Sequence, residues 1–237
     1  MIWKSFFPFL HRSDYIKEAV HEELLSATVR KEDRPNRDLG PNEVVQLLDN
    51  FERENHPVLF GLMQILDATG LRNIELCKLK VSDLKYDSLV GGYYLSVWRK
   101  DNKHRSIPLT PKVVESIRHY REARLPDTRF SENDDSPLFP TSTGKAFSSS
   151  YLAQYLRKAI ERIGLPFRQN RSCRITAHAF RHSFAIISRK AGADIYKTMR
   201  SLGHEKIEMT MIYLEKIFEW EQNAVHCWKD EILGEYI

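Results

Sequence analysis

The sequence predicts an α+β fold, mainly helical, with one small antiparallel sheet. Three observations carry that reading. Apolar residues recur at helical spacing through most of the 237 residues. One stretch, residues 81–109, changes to strand-like alternation with aromatic and β-branched residues. Polar segments containing Pro and Gly separate the periodic runs, at residues 30–40 and 126–145.

The elements follow in order. Residues 14–28 read as a helix, and 30–40 as a linker. A helix starts at Pro41, a favoured first-turn residue, and ends before His56–Pro57. The next, PVLFGLMQILDAT, is apolar nearly all round and is expected to be buried, with Gly70 ending it. In GLRNIELCKL, Leu71, Ile74, Leu76 and Leu79 suit a short packed helix with Arg72 at its start. A cation there opposes the helix dipole, so something else must want it, and Glu75 lies one turn on. YYLSVW and RSIPL read as strands joined by a hairpin at Lys100–Lys103. Its tip carries Arg99, Lys100, Lys103, His104 and Arg105, a set that suits either solvent or a DNA groove.

Helical pattern resumes after Thr110, and Leu-Phe-Pro anchors the loop that follows. SSSYLAQYLRKAIERIGL is a capped amphipathic helix. Helices 178–190 and 194–202 come next, separated by a turn at Gly192. A last turn precedes Tyr213, and an amphipathic tail offers Ile217, Phe218 and Trp220.

Composition narrows the class. A chain that is 42% hydrophobic and 29% charged suits a soluble globular protein. No apolar run approaches the roughly 18–20 residues that span a bilayer. The N-terminus, broken by Pro8 and lacking a small-residue cleavage site, does not read as a signal peptide. Cys77, Cys173 and Cys227 are odd in number and far apart, as free thiols of a reducing cytoplasm would be. Net charge is only +4, yet Arg162, Arg168, Arg171, Arg174, Arg181, Arg189 and Lys190 share a stretch without Asp or Glu. That block is either a phosphate-facing surface or a face whose acids come from elsewhere in the fold.

The stretch His178 to Tyr213 carries the chemistry. His178, Arg181, His204 and Tyr213 can together hold a phosphate and attack it. Guanidinium forks fit phosphate oxygens, imidazoles move protons near neutral pH, and a deprotonated phenol is a nucleophile. His178 and His182 are four apart, but the metalloprotease helix needs Glu where Ala179 stands. Neither a metal nor a cofactor site is expected.

The order ATGLR-x-x-E (Arg72, Glu75), WRKDNKHRSIPL (Lys100), H-x-x-R-H (His178, Arg181), LGH (His204) and Tyr213 nine residues later resembles the tyrosine recombinase family, the phage-integrase-like and Xer-like site-specific recombinases. The resemblance covers residues 40–230. It implies a catalytic domain with a three-stranded antiparallel sheet. It implies that Tyr213 attacks a phosphodiester to give a 3′-phosphotyrosine, without metal or ATP. Arg72 and Arg181 then clamp the phosphate oxygens, Lys100 protonates the leaving 5′-oxygen, and His178 handles the tyrosyl proton. His204 bonds a phosphate oxygen, and Glu75 orients its neighbours. Arg99, Lys103, Arg105, Arg168, Arg171 and Arg174 become candidate contacts to double-stranded DNA, in a cytoplasmic, nucleoid-associated protein.

Family members carry a helical core-binding domain ahead of the catalytic one. Here residues 1–38 read as a helical extension and linker, a remnant of such a domain, and 39–237 as the catalytic domain with its tail. The tail resembles the segment through which relatives meet a neighbouring subunit, implying a homotetramer on DNA. A type IB topoisomerase-like or telomere-resolving strand transferase shares much of this site. A truncated, non-catalytic DNA-binding copy is the other alternative.

Overall fold

The computed structural model describes residues 2–20, 38–98, 104–125, 129–169, 171 and 174–224, without the side chains of 2–5. The chain divides into two units, Met1–Pro35 and Asn36–Ile237.

In the first unit, α1 spans Ile2–Arg12. The helix expected at 14–28 is absent from 14–20, which form turns, and the remainder of that span lies outside the described residues. The reason is a terminator at Asp14. Its φ of 60° is left-handed, a conformation that Asp tolerates. The Tyr15 N–H then donates back to the Leu10 carbonyl at 2.9 Å, the six-to-one bond that closes a helix end.

The second unit holds the remaining elements. The next two helices, α2 (Pro41–Arg53) and α3 (Pro57–Thr69), each open on proline. As its all-round apolar sequence requires, α3 is central: Leu62, Met63, Ile65 and Leu66 are at most 1% exposed. Gly70 ends it at φ +60°. A Cβ there would lie 2.8 Å from both Leu202 and Phe184, so glycine serves both the turn and the close approach. The short α4 (Asn73–Lys78) follows.

Strands β1 (Leu84–Asp87), β2 (Gly92–Trp98) and β3 (His104–Pro108) form an antiparallel sheet in that order. The hairpin tip at 99–103 lies outside the described residues. Leu84, Leu95 and Ile107 stand in register across the sheet, all buried, and fix which face meets the core. Helix α5 (Pro111–Glu122) packs on α3. The loop after it is pinned by Leu138 and Phe139, both buried as expected. The buried Arg121 guanidinium also donates to the Pro137 and Leu138 carbonyls at 2.9 and 3.2 Å.

Helix α6 (Ser149–Arg162) is capped by the Ser148 hydroxyl, which accepts from the Tyr151 N–H at 3.1 Å. One turn, α7 (Pro166–Gln169), leads to α8 (Ala177–Lys190), α9 (Ile195–Leu202) and α10 (Ile207–Glu221). Tyr213 therefore sits inside a helix. Ile217 and Phe218, expected to be offered outward by the tail, turn inward beside Ala185, Leu202 and Leu214. Trp220 stays 71% exposed, and 225–237 lie outside the described residues. No described helix is long and apolar enough to cross a membrane. Cys77 is buried, which pushes its thiol up to about 11; Cys173 and Cys227 lie outside the described residues.

One partly buried acid is costly. Burial pushes Asp67 on α3 up to about 6, against a smaller opposing pull from the Ser183 hydroxyl of α8. A carboxyl raised this way favours the fold while protonated, and its contribution fades as pH climbs from about 4 through 6. Asp67→Asn is therefore expected to stabilise the fold by about 1–2 kcal/mol above pH 7, or roughly 3–6 °C in Tm, and by little at pH 4. Thermal unfolding at both pH values checks this; an equal gain at each would contradict it.

Candidate active site

Arg181 is the centre of the site. It lies on α8, is 1% exposed, and donates to two carbonyls: Gly70, which ends α3, and Leu202, which ends α9, the latter at 2.7 Å. Helix C-termini carry partial negative charge on unpaired carbonyls, so two of them can hold a buried guanidinium without a carboxylate. The left-handed turns at Gly70 and Gly203 end both helices where Arg181 needs them. Burial lowers Arg181 to about 10, and repulsion from Arg72 and Arg105 adds to it; the Tyr213 oxygen works the other way. At neutral pH Arg181 remains charged.

Arg72 and Glu75 explain the misplaced cation. Glu75 Oε2 accepts from the Arg72 N–H at 2.8 Å, capping α4, while Oε1 accepts from the Arg72 guanidinium at 2.9 Å. Arg105, from β3, donates to the same Glu75 at 2.9 Å and also to the Leu202 carbonyl. One buried carboxylate therefore serves two guanidiniums. Three guanidiniums thus crowd together, and Arg72, 30% exposed at its side chain, has room for a further anion. Beside Arg72 opens a cleft of ≈ 790 Å³, lined also by Lys78, Lys80 and Trp98.

Gly203 allows Arg105 its place. Its φ is +65°, and a Cβ would lie 2.5 Å from the Arg105 Nη1. Gly203→Ala combines left-handed strain of about 1–2 kcal/mol with displacement of that guanidinium. The expected result is a Tm lowered by roughly 3–6 °C. An unchanged melting curve would contradict both the strain and the displacement.

Tyr213 meets three imidazoles. His178, exposed, places Nε2 3.4 Å from its hydroxyl. The His182 ring lies against it, tilted by 32° with centroids 3.8 Å apart. His204 meets the ring edge-on at 5.3 Å. His204 is itself buried and held by Thr210, Nδ1 to Oγ1 at 2.9 Å. An imidazole within reach of a phenol hydroxyl can accept its proton. Guanidiniums a short way off can bind the anion that the phenolate attacks.

The structure thus brings together Arg72, Glu75, His178, Arg181, His204 and Tyr213. Arg99, Lys100 and Lys103 lie outside the described residues. Arg105 is placed at Glu75 and Leu202 rather than on an outer surface. Arg168 donates to the Ile160, Glu161 and Ile163 carbonyls, closing α6. Arg171 binds Glu43 at 2.6 Å and the Asp38 carbonyl. These three, expected at DNA, have their guanidiniums engaged within the fold. Arg174, 72% exposed at its side chain and 3.6 Å from Glu161, is offered outward. The basic stretch does take acids from elsewhere: Glu43 for Arg171 and Glu221 for Arg189. Sequence reading missed His182 as a neighbour of Tyr213 and Thr210 as a partner of His204. In the sequence His182 stands out only as half of a histidine pair, and Thr210 carries no motif of its own.

The phage integrase family model matches residues 37–219. The tyrosine recombinase XerD of Staphylococcus epidermidis (strain ATCC 12228) is 31% identical over 212 residues, covering 89% of this chain and 68% of that protein. The tyrosine recombinase XerC of Leptospira interrogans (serovar copenhageni) is 30% identical over 230 residues, covering 93% of this chain and 68% of that protein. Among solved structures, a lambda integrase dimer bound to a COC′ core site matches with TM-score 0.66 and 20% identity, covering 89% of this chain and 56% of that one. A post-cleavage complex of the XerH site-specific recombinase with a palindromic difH substrate matches with TM-score 0.63 and 23% identity, covering 83% of this chain and 54% of that one. At those identities the structural matches speak for the fold alone. The chain spans little more than half the length of these two solved proteins.

Proposed function

Because this chain belongs to the phage integrase family, we propose that it is a site-specific DNA recombinase that cuts and rejoins strands through Tyr213. The observation that carries this reading is the convergence of Arg72, Arg105 and Arg181 near a phenol whose hydroxyl lies 3.4 Å from an imidazole. Crowded, partly desolvated guanidiniums make a strong anion site, and the anion best matched to their geometry is a phosphate.

The steps balance without cofactor. His178 takes the phenol proton, and the Tyr213 oxygen bonds to phosphorus of one strand. Arg72 and Arg181 hold the non-bridging oxygens as charge accumulates on the pentacoordinate phosphorus. The bond to the 5′-oxygen breaks, and Lys100, between β2 and β3, gives that oxygen its proton. A 3′-phosphotyrosine and a free 5′-hydroxyl remain. Attack by another 5′-hydroxyl reverses each transfer and joins the exchanged strands. The energy of the first bond stays in the second, so no ATP enters. Fixed side-chain charge does here what a metal ion does in other phosphoryl-transfer sites.

Duplex DNA is the proposed partner. Its backbone is assigned to Arg99, Lys103 and Arg174, with Lys78 and Lys80 of the cleft beside Arg72. Arg105, Arg168 and Arg171 are assigned to holding the fold. Assembly on DNA as a tetramer through the tail is part of the same proposal, with Trp220 as its exposed apolar residue.

The test is covalent capture. Wild-type protein is mixed with nicked duplexes from the ends of the element that encodes it and run on a denaturing gel, and the trapped peptide is mapped by mass. The expected adduct joins DNA to Tyr213. Bound DNA on a native gel with no adduct would remove catalysis from the reading.

A further inference from the structure

The nucleophile helix is lightly held by its core. Ala185, Leu202 and Leu214 are the buried residues of a small cluster under α10, set apart from the main core. Polar ties must therefore supply part of its seating.

Asp38 supplies two of them. It lies two residues before Gly40, which caps α2. Its Oδ1 is 3.4 Å from the His182 Nδ1, and its Oδ2 is 3.4 Å from the Lys216 Nζ. His182 belongs to α8 and forms the plate against which the Tyr213 ring rests, centroids 3.8 Å apart. Lys216 belongs to α10, three residues beyond Tyr213 and so one turn along the same face. One carboxylate thus reaches both the plate and the helix that rests on it.

Asp38 is itself anchored. Its carbonyl accepts from Arg171, whose Nη2 also meets Glu43 Oε2 at 2.6 Å. That Glu43 oxygen accepts the Gly40 N–H at 2.8 Å. The carboxylate projects from a braced segment at the head of α2. Burial works against its charge, yet His182 and Lys216 together outweigh burial and hold the acid below its ordinary value.

We propose that Asp38 is a positioning residue for Tyr213, seating the nucleophile helix on α8 through Lys216 and fixing the His182 ring beneath the phenol. The proposal rests on the reading of Tyr213 as nucleophile. Asp38 touches no reacting atom; it sets the fraction of molecules whose phenol stands ready. A fall of that fraction to one tenth slows cleavage tenfold and leaves DNA affinity alone.

The test uses the full chain with Asp38→Asn, Asp38→Glu and Lys216→Gln. Asp38→Asn keeps shape and loses charge. It is expected to slow single-turnover adduct formation about tenfold with duplex Kd unchanged. It is also expected to speed hydrogen exchange in peptides covering 207–221 while those from α3 stay protected. Asp38→Glu restores much of both, and Lys216→Gln added to Asp38→Asn slows cleavage less than the product of the single effects. Unchanged exchange in 207–221, or an unchanged cleavage rate, overturns the proposal. If wild-type protein forms no adduct, the catalytic reading fails and the exchange measurement alone decides whether Asp38 seats α10.

Discussion

Tyr213→Phe is expected to abolish covalent capture of DNA, a loss of at least about 10⁴-fold in cleavage, while binding and folding stay nearly unchanged. The asymmetry follows from the contacts. The ring is what α8 and the His204 loop pack against, through His182 at 3.8 Å and His204 at 5.3 Å, and phenylalanine keeps that ring. Only the hydroxyl goes, with its 3.4 Å contact to His178 and its interaction with Arg181. A partly exposed hydrogen bond of that length contributes about 1 kcal/mol or less, so Tm should move by at most a few degrees. Duplex affinity, read on a native gel, should stay within about twofold, because the phosphate-binding cations are untouched. A residual adduct in this variant would point to another nucleophile.

The second large effect is at Arg181. Arg181→Lys is expected to slow single-turnover cleavage by about 10²–10³, the loss of one preorganised donor to a developing anion. Lysine keeps the charge, so simple electrostatics predicts little change. Geometry predicts much more. The guanidinium reaches the Gly70 and Leu202 carbonyls at once and still has N–H groups to offer, whereas a single ammonium cannot span both. A buried carbonyl left without a donor costs about 1–3 kcal/mol, so this variant should also melt lower. A rate within threefold of wild type would mean that Arg181 is a structural rivet and that Arg72 alone holds the phosphate.

Much of this was legible in the chain. Pro41, Pro57 and Pro111 open α2, α3 and α5 because each fits a first turn, and Gly70 and Gly203 close α3 and α9 because left-handed backbone favours glycine. The alternation of YYLSVW gave the strand, since Leu95 and Val97 had to face the same core. The motif was readable because its order and spacing, from Arg72 through H-x-x-R-H and LGH to Tyr213, lie in the chain itself. Roles of individual arginines were not readable. Arg105, Arg168 and Arg171 look alike in sequence, and only tertiary placement shows which meets carbonyls and which meets acids. Residues 14–20 misled because their composition suits a helix, while one left-handed Asp14 ends the preceding one. His182 was hidden because its partner Asp38 is 144 positions away, a pairing that no local period records.

The Leu202 carbonyl accepts from both Arg105 and Arg181. Arg105 is carried by the strand that leaves the hairpin, and Arg181 by the helix at the heart of the site. A single oxygen atom is thus a joint between the third strand and the guanidinium at the centre of the site. A shift of β3 along its length therefore reaches Arg181 through one shared acceptor. On the proposed reading the stiffness of a duplex held against that strand becomes a quantity to which the site responds, and a gapped duplex is expected to be cut more slowly than an intact one.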